Sequence, residues 1–451
     1  MARIYVRDFT KGSISKPLLA FVAPMLIGNL FQQLYSMVDA ILVGRYVSGN
    51  ALAAVGVTMN VVFFITSVLI GLTTGSAVVI AQFYGAKQHD KLKDTFAVSI
   101  VSLFGLAIIL TVLGVTLAPT ILRLLNTDPL VFDDALLYMR ILLGGMICPV
   151  YYNMYIAYLR ALGDSRRPLY ILVFTVVLSG VLTVYLVAYR GMGIGGAAAS
   201  TIFSQFIAAI LCFLYSRRYV PLLRFEKLMF DFKLFVLIFR YGAPAALQFA
   251  LVTLGTLIIT RLINSFGAPA MAAITAVSRM DMLATMPIST LSMALSTFVA
   301  QNMGAGIEDR AIKGFRVAML YMILFAVSIS ALLMVFAPQL ISMFLNQSDE
   351  NYTEILDIGH RYLNIMVLFY FLFAFFYSFV GFFRGVGDAI MTMMFAVISL
   401  TFRTVSAYAL VYLAGMGPEA LSWSIPIGWG LSSIGCIVYY KKRLWAGKVA
   451  I

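Results

Sequence analysis

Residues 29–39 read Asn-Leu-Phe-Gln-Gln-Leu-Tyr-Ser-Met-Val-Asp, and the acid at their end decides how the rest of the chain is read. From Leu18 to Val43, Asp39 is the only charged residue. At helical spacing Asn29, Gln32 or Gln33, Ser36 and Asp39 fall on one stripe, while Leu30, Phe31, Leu34, Met37 and Val38 cover the remainder. A helix this apolar belongs in hydrocarbon, where an ionisable group must face a partner, a cavity or an ion path. Asp39 lies close enough to the outer end of its run to snorkel toward water. The polar stripe continuing inward for about three turns favours a functional role.

The whole chain has the same character. Of 451 residues 62% are hydrophobic and 11% charged, against about 25% charged in a soluble domain. Apolar runs long enough to span a bilayer recur throughout, which makes this an all-α polytopic membrane protein. The net charge of +13 does not point to nucleic acid. Its basic residues gather in alternate loops, the positive-inside pattern, and membrane lipid headgroups are their expected partner. Cys148, Cys212 and Cys436 are dispersed in apolar runs, which fits neither a disulfide framework nor a metal site. No cofactor is expected. The first run is too long for a signal peptide and is read as retained.

Twelve spans are read, at about 17–43, 51–81, 94–118, 135–159, 168–189, 194–216, 235–263, 270–300, 314–340, 357–381, 389–413 and 420–440. One side then carries nearly all the basic loop residues, from Arg3, Arg7 and Lys11 to Lys441, Lys442 and Arg443. The other side is poor in them and holds the acidic segments 128–134 and 349–357. Both termini are therefore expected in the cytoplasm, with the protein in the cell (inner or plasma) membrane. Ser216–Lys233, with Pro221 and five basic residues, is the longest polar linker. It divides the chain into an N-terminal lobe (1–218), a linker (219–234) and a C-terminal lobe (235–451).

The two halves repeat. Ala81-Gln82, Gly85-Ala86 and Asp90 return as Ala300-Gln301, Gly304-Ala305 and Asp309; Ala53-Ala54 returns as Ala272-Ala273. Arg160-Ala-Leu-Gly163-Asp164 returns as Arg384-Gly-Val-Gly387-Asp388, Leu125-Asn126 as Leu345-Asn346, and Ala23-Pro24 as Ala243-Pro244. With six spans in each half, the repeat is parallel, the organisation of many secondary transporters with a central cavity.

These residues resemble the multidrug and toxin extrusion (MATE) family. The resemblance rests on Gln33, Tyr35 and Asp39 with Val43-Gly44-Arg45, then Ala51-Leu-Ala-Ala-Val-Gly56, then Ala81-Gln82 and Gly85-Ala86, and on the second-half echoes Ala300-Gln301-Asn302-Gly304 and Arg384–Asp388. It covers essentially the whole chain. It implies two six-helix lobes around a V-shaped cleft and export of amphipathic, often cationic compounds in exchange for protons or sodium ions. In several prokaryotic relatives the fifth span carries an Asn and an Asp one turn apart. The matching positions here look like Ser179 and Thr183. The acids that sodium-coupled relatives carry in the seventh and tenth spans are also missing, with Gln248 in the seventh. Protons are therefore expected as the coupling ion, with sodium left open.

Of nineteen acids only Asp39 and Asp281 lie well inside predicted spans. Asp39 is the expected proton-coupling residue, because apolar surroundings disfavour its ionised form and a bound cation favours it. Proton and cargo would then compete for one carboxylate. In the second half Arg279, Asp281 and Arg403 form an expected charge network, and Asp281 and Arg403 lie at similar depth as an expected ion pair. By the repeat Arg279 aligns with Asn60 and Arg403 with Ser179. Further cavity residues are Asn29, Gln32, Gln33, Tyr35, Ser36, Asn60, Asn153, Ser179, Thr183, Thr201, Gln205, Gln248 and Met286, each weighed against an ordinary helix–helix contact. Kinks are expected at Pro24, Pro149, Pro244, Pro287 and Pro426.

No phosphate-binding loop is present, so an ion gradient is the expected energy source. The rival within transport is a flippase for a lipid-linked metabolite, which would want more cavity cations than Arg279, Arg403, Arg240 and Arg261 supply. The more distant rival, an intramembrane lipid-modifying enzyme, lacks paired acids, and His89 and His360 fall near span ends. The protein is not expected to be an enzyme, and is expected to act as a monomer on small molecules.

Overall fold

The structure, a computed structural model, describes residues 7–224, 230–343 and 351–449, apart from the side chains of Val38 and Ala40. Leu345-Asn346, Lys227, Arg3 and the start of the 349–357 acidic segment lie outside the described residues. Helices follow one another throughout: α1 (Ser15–Tyr46), α2 (Gly49–Gly85), α3 (His89–Leu124), α4 (Pro129–Gly144), α5 (Ile147–Ala161), α6 (Arg166–Thr183) and α7 (Gly193–Tyr219), then α8 (Phe232–Asn264), α9 (Ala268–Gly304), α10 (Glu308–Ser342), α11 (Tyr352–Leu368), α12 (Tyr370–Val386), α13 (Ala389–Tyr412) and α14 (Glu419–Lys441). No strand occurs among the described residues. A chain in hydrocarbon must satisfy its backbone within each segment, and a helix does so. Serine and threonine side chains inside the spans bond back to carbonyls of the preceding turn, as Thr73 does to Leu69 at 2.8 Å.

Among the described residues ten helices are long and apolar enough to cross a bilayer alone, and α11 with α12, bent by 49°, make an eleventh. The remaining expected span, 135–159, is divided into α4 and α5, of 16 and 15 residues. The breaks fall at Gly145 and Phe369, spaced as Arg160 is from Arg384. Both halves therefore interrupt the same span at the same point. Neither break is at a proline. Pro24, Pro244, Pro287 and Pro426 lie inside continuous helices, and Pro149 sits in the first turn of α5, where its missing N–H costs little.

Contacts divide the chain into two units. The first contains Leu19–Phe249 and residues 7–11, the second Gly12–Leu18 and Ala250–Val449. In the first, α2 packs on α3, α4 and α5, α6 on α7, and α7 also on α4 and α5. In the second, α9 packs on α10, α11 and α12, α13 on α14, and α14 also on α11 and α12. Helix for helix the pairing is the same, so the repeat written in the sequence is a repeat of packing. Small residues allow the tightest approaches: a Cβ on Gly71 or Gly75 would overlap the backbone of Ala246 or Gly242.

The paired Arg-x-x-Gly-Asp motifs build one clamp in each unit. Gly163 (φ +86°) and Gly387 (φ +103°) take left-handed backbone, and Gly163 also lies under the carbonyl of Arg7. Asp164 Oδ1 accepts from the N–H groups of Arg166 and Arg167 at the start of α6, and Asp388 Oδ1 from Met391 N–H in α13. The second carboxylate oxygen of each takes a tyrosine hydroxyl from the last helix of its own unit, Tyr215 at 3.3 Å and Tyr439 at 2.5 Å. Each tyrosine stands 51 residues beyond its aspartate. Burial pushes the Asp164 carboxyl up from the usual carboxylate range, and the donated hydrogen bonds and nearby Arg167 oppose it.

Candidate functional site

Asp39 is buried, 7% exposed, although α1 is apolar on either side of it. Among the described residues no cation lies within ion-pair distance of it. Its neighbours are neutral hydroxyls. Thr183, the last residue of α6, donates to Asp39 Oδ1 at 3.5 Å, a long bond, and shares a 2.6 Å bond with Ser200 of α7. The chain beyond Thr183 widens into a π-helical turn, Val184–Tyr189, a geometry that recurs at functional positions. One turn before Asp39, Tyr35 shares hydrogen bonds with Ser179 at 2.6 Å and with Thr201 at 3.2 Å. Tyr35–Ser179 and Asp39–Thr183 are thus two successive rungs joining α1 to α6. Tyr138 of α4 lies within electrostatic reach of Asp39, and its buried hydroxyl has no hydrogen-bond partner among the described residues.

The arrangement can hold a proton or a small cation on one carboxylate. Neutral oxygens from α6 and α7 surround that carboxylate, with the Tyr138 hydroxyl uncommitted. A partly satisfied acid in an apolar wall is costly to build.

Tyr35, Asp39, Ser179, Thr183 and Thr201 are therefore brought together. Gln32, Ser36, Asn60 and Asn153 are exposed, with Asn60 and Asn153 donating to carbonyls of their own helices, Gly56 and Pro149. The face of α1 that is buried in the site is Tyr35–Asp39 rather than Gln32–Ser36–Asp39. Asn29, Gln33, Gln205 and Gln248 are partly buried at other points of the first unit, and Met286 at a point in the second. Ser200 and Tyr138 complete the site and were not singled out by the sequence. Ser200 ends a run of small residues from Gly195, and Tyr138 is a polar group amid apolar neighbours. Both signals are legible only with the partner helices known.

In the second unit the expected Asp281–Arg403 ion pair is not formed: no such contact within 4 Å occurs among the described residues. Asp281 instead accepts a 2.8 Å hydrogen bond from Tyr370, the first residue of α12. The break in the tenth span brings that tyrosine to the carboxylate. Arg403 acts on Asp281 and on Tyr362 of α11 through space, and its buried Nε–H has no partner among the described residues. Arg279 is exposed and does not join them, because two residues along a helix point to different faces.

The MatE family model matches residues 24–186 and 244–409, most of both halves. The chain is a MatE family member. The probable multidrug resistance protein YoeA of Bacillus subtilis is 32% identical over 373 residues, 81% of this chain and 80% of that protein. The probable multidrug resistance protein YpnP of the same organism is 30% identical over 442 residues, 97% of each. Among solved structures, a MOP superfamily transporter from Pyrococcus furiosus, described for the reverse polarity of its binding pocket, superposes with a TM-score of 0.90 at 23% identity, covering 97% of this chain and 98% of that one. At that identity the likeness is one of fold. MatE proteins are membrane transporters, and this chain's repeated bundles of apolar helices are that fold.

Proposed function

We propose that this MatE protein exports amphipathic, often cationic organic compounds by exchanging them for protons at Asp39. The observation that carries the reading is the setting of Asp39, an acid buried in an apolar helix with neutral hydroxyls and, among the described residues, no cation beside it. A proton neutralises such a group, and so does a bound cation. Each therefore excludes the other, and a carrier that reorients with either but not with neither is an antiporter. The scarcity of close oxygen ligands supports protons over sodium, since among the described residues Thr183 at 3.5 Å is the one hydroxyl bonded to the carboxylate. The multidrug resistance names of its relatives support the cargo class. The basic loops support a cytoplasmic-membrane protein with both termini inside.

The test is export of a fluorescent organic cation from liposomes holding the purified protein, with proton and sodium gradients imposed separately. The proton gradient drives export and the sodium gradient does not. Export driven by sodium alone overturns the choice of ion, and export with neither gradient overturns antiport.

A further inference from the structure

A groove of 340 Å³ lies between α3, α5 and α7 of the first unit. Ile100 of α3 and Cys148, Tyr151 and Tyr155 of α5 line it, and α7 adds the stripe Phe206, Ile210 and Phe213. Because α5 starts at the Gly145 break, in the middle of its span, Cys148 sets the inner end of the groove near mid-bilayer. Contacts fix its direction. Tyr151 donates to the Ile100 carbonyl at 3.1 Å, and the Phe96 ring meets those of Tyr155 and Tyr158, so the start of α3 lies beside the end of α5. The end of α7 lies at that level too, since Tyr155 meets Phe213 and Tyr215 reaches Asp164. The groove therefore runs from mid-bilayer to the membrane face where α3 begins and α7 ends. From Phe206 to Arg217 is about 16 Å at 1.5 Å per residue, close to the hydrocarbon depth of one leaflet, about 15 Å. Phe206 and Ile210 are exposed on the side of α7 opposite the buried Ser200, Ser204, Ala208 and Cys212. An apolar patch exposed on a spanning helix meets hydrocarbon, so the content that suits it is an acyl chain.

We propose that this groove seats one acyl chain of an anionic phospholipid, with the phosphate facing Arg217 and Lys93. Arg217 is exposed and stands one turn beyond Phe213 on the same stripe of α7. Lys93 is half-buried and stands two turns before Ile100 on the same face of α3. Among the described residues neither has a hydrogen-bond, ion-pair or ring partner, and Asp90 and Asp94, near Lys93 in sequence, do not pair with it. Their neighbours are engaged, Arg218 over the Tyr219 ring and Lys91 over that of Phe83. Two uncommitted cations at headgroup level above an apolar groove complement a lipid with a negative head and a hydrocarbon tail. The second half treats the corresponding surface differently. At the spacing of Arg160 and Arg384, Tyr155 corresponds to Phe379 and Arg217 to Lys441. The rings of Phe315, Phe375 and Tyr440 pack on Phe379, and the buried Trp445, beyond α14, stacks on Tyr440. The chain's own rings crowd that position, whereas the first half leaves a groove.

The test is photolabelling of the liposome-reconstituted protein by phosphatidylglycerol or phosphatidylcholine carrying a diazirine at the end of one acyl chain, with adducts located by mass spectrometry. Phosphatidylglycerol is expected to label Ile147 and Cys148 at the inner end of the groove, and phosphatidylcholine at the same dose to label them far less. Lys93→Gln and Arg217→Gln should each reduce that preference about fivefold. Ala209→Trp, which fills the groove, should abolish the label; the two charge variants, at the membrane surface, carry the test even where Ala209→Trp does not fold. Equal labelling by the two lipids, an unchanged preference in the double variant Lys93→Gln/Arg217→Gln, or full labelling of a folded Ala209→Trp overturns the proposal. So does displacement of the label by an organic cation, which would make the groove a cargo site. A label that fades as protein density in the liposomes rises would mean that a second copy of the chain covers the groove, and also overturns it.

Discussion

The hydroxyl of Thr183 reaches the carboxylate of Asp39 across 3.5 Å, and this long bond is the only hydrogen bond Asp39 makes to a described side chain. The other two buried aspartates, Asp164 and Asp388, are each held by backbone N–H groups and a tyrosine. The contrast separates an acid that is tied down to shape a loop from one left able to change partners.

Asp39→Asn keeps the shape and the Thr183 contact and removes the titratable group. The variant is expected to reach the membrane at wild-type level and to lose gradient-driven export by at least about tenfold, equivalent to 1.4 kcal/mol. Dye export from energised vesicles, normalised to protein in the membrane, checks this.

Tyr35→Phe breaks the rung next to Asp39, leaving Ser179 and Thr201 without that hydroxyl. A loss of about 0.5–1.5 kcal/mol in stability is expected, with export reduced but still driven by the proton gradient. Thermal unfolding and the same dye assay separate this partial effect from the loss at Asp39.

The two Arg-x-x-Gly-Asp clamps give a purely structural prediction. Asp388→Asn and Tyr439→Phe remove opposite ends of one hydrogen bond, so the double variant should be less destabilised than the sum of the singles by about 1–2 kcal/mol. Unfolding of the detergent-solubilised protein measures it. Additive effects would mean that the bond carries no stability.

Gly75 lies against the backbone of Tyr241 and Gly242, whereas a Cβ on Gly56 would meet nothing within 4 Å. Gly75→Leu should therefore prevent accumulation of folded protein, and Gly56→Ala should leave the unfolding temperature unchanged or higher by the helix-propensity gain of about 1 kcal/mol. Monodispersity on gel filtration reads both.

Hydrophobicity marked every span because length and apolar content are local properties. The two broken spans escaped notice because Gly145 and Phe369 interrupt helices without any proline. Gly145 is at its break because Ile202 of α7 leaves no room for a Cβ, a long-range contact invisible in the local sequence. Asp39 stood out by its isolation among apolar residues, and Tyr35 with Ser179, Thr183 and Thr201 joined it through the family resemblance and polar type. Tyr138, Ser200 and Tyr370 were missed since their meaning depends on which helix they face. The expected Asp281–Arg403 pair failed for the same reason: similar depth was legible, but Tyr370 was not known to take the carboxylate.

Competition between proton and cargo at Asp39 is most directly measured as proton release when an organic cation binds the purified protein in weakly buffered solution. Binding of each cation by the wild type should release a proton, approaching one per cation at a pH low enough to protonate Asp39 beforehand, and Asp39→Asn should release none. Equal release from the two proteins, or cation binding by the wild type with no proton released at any pH, would contradict it.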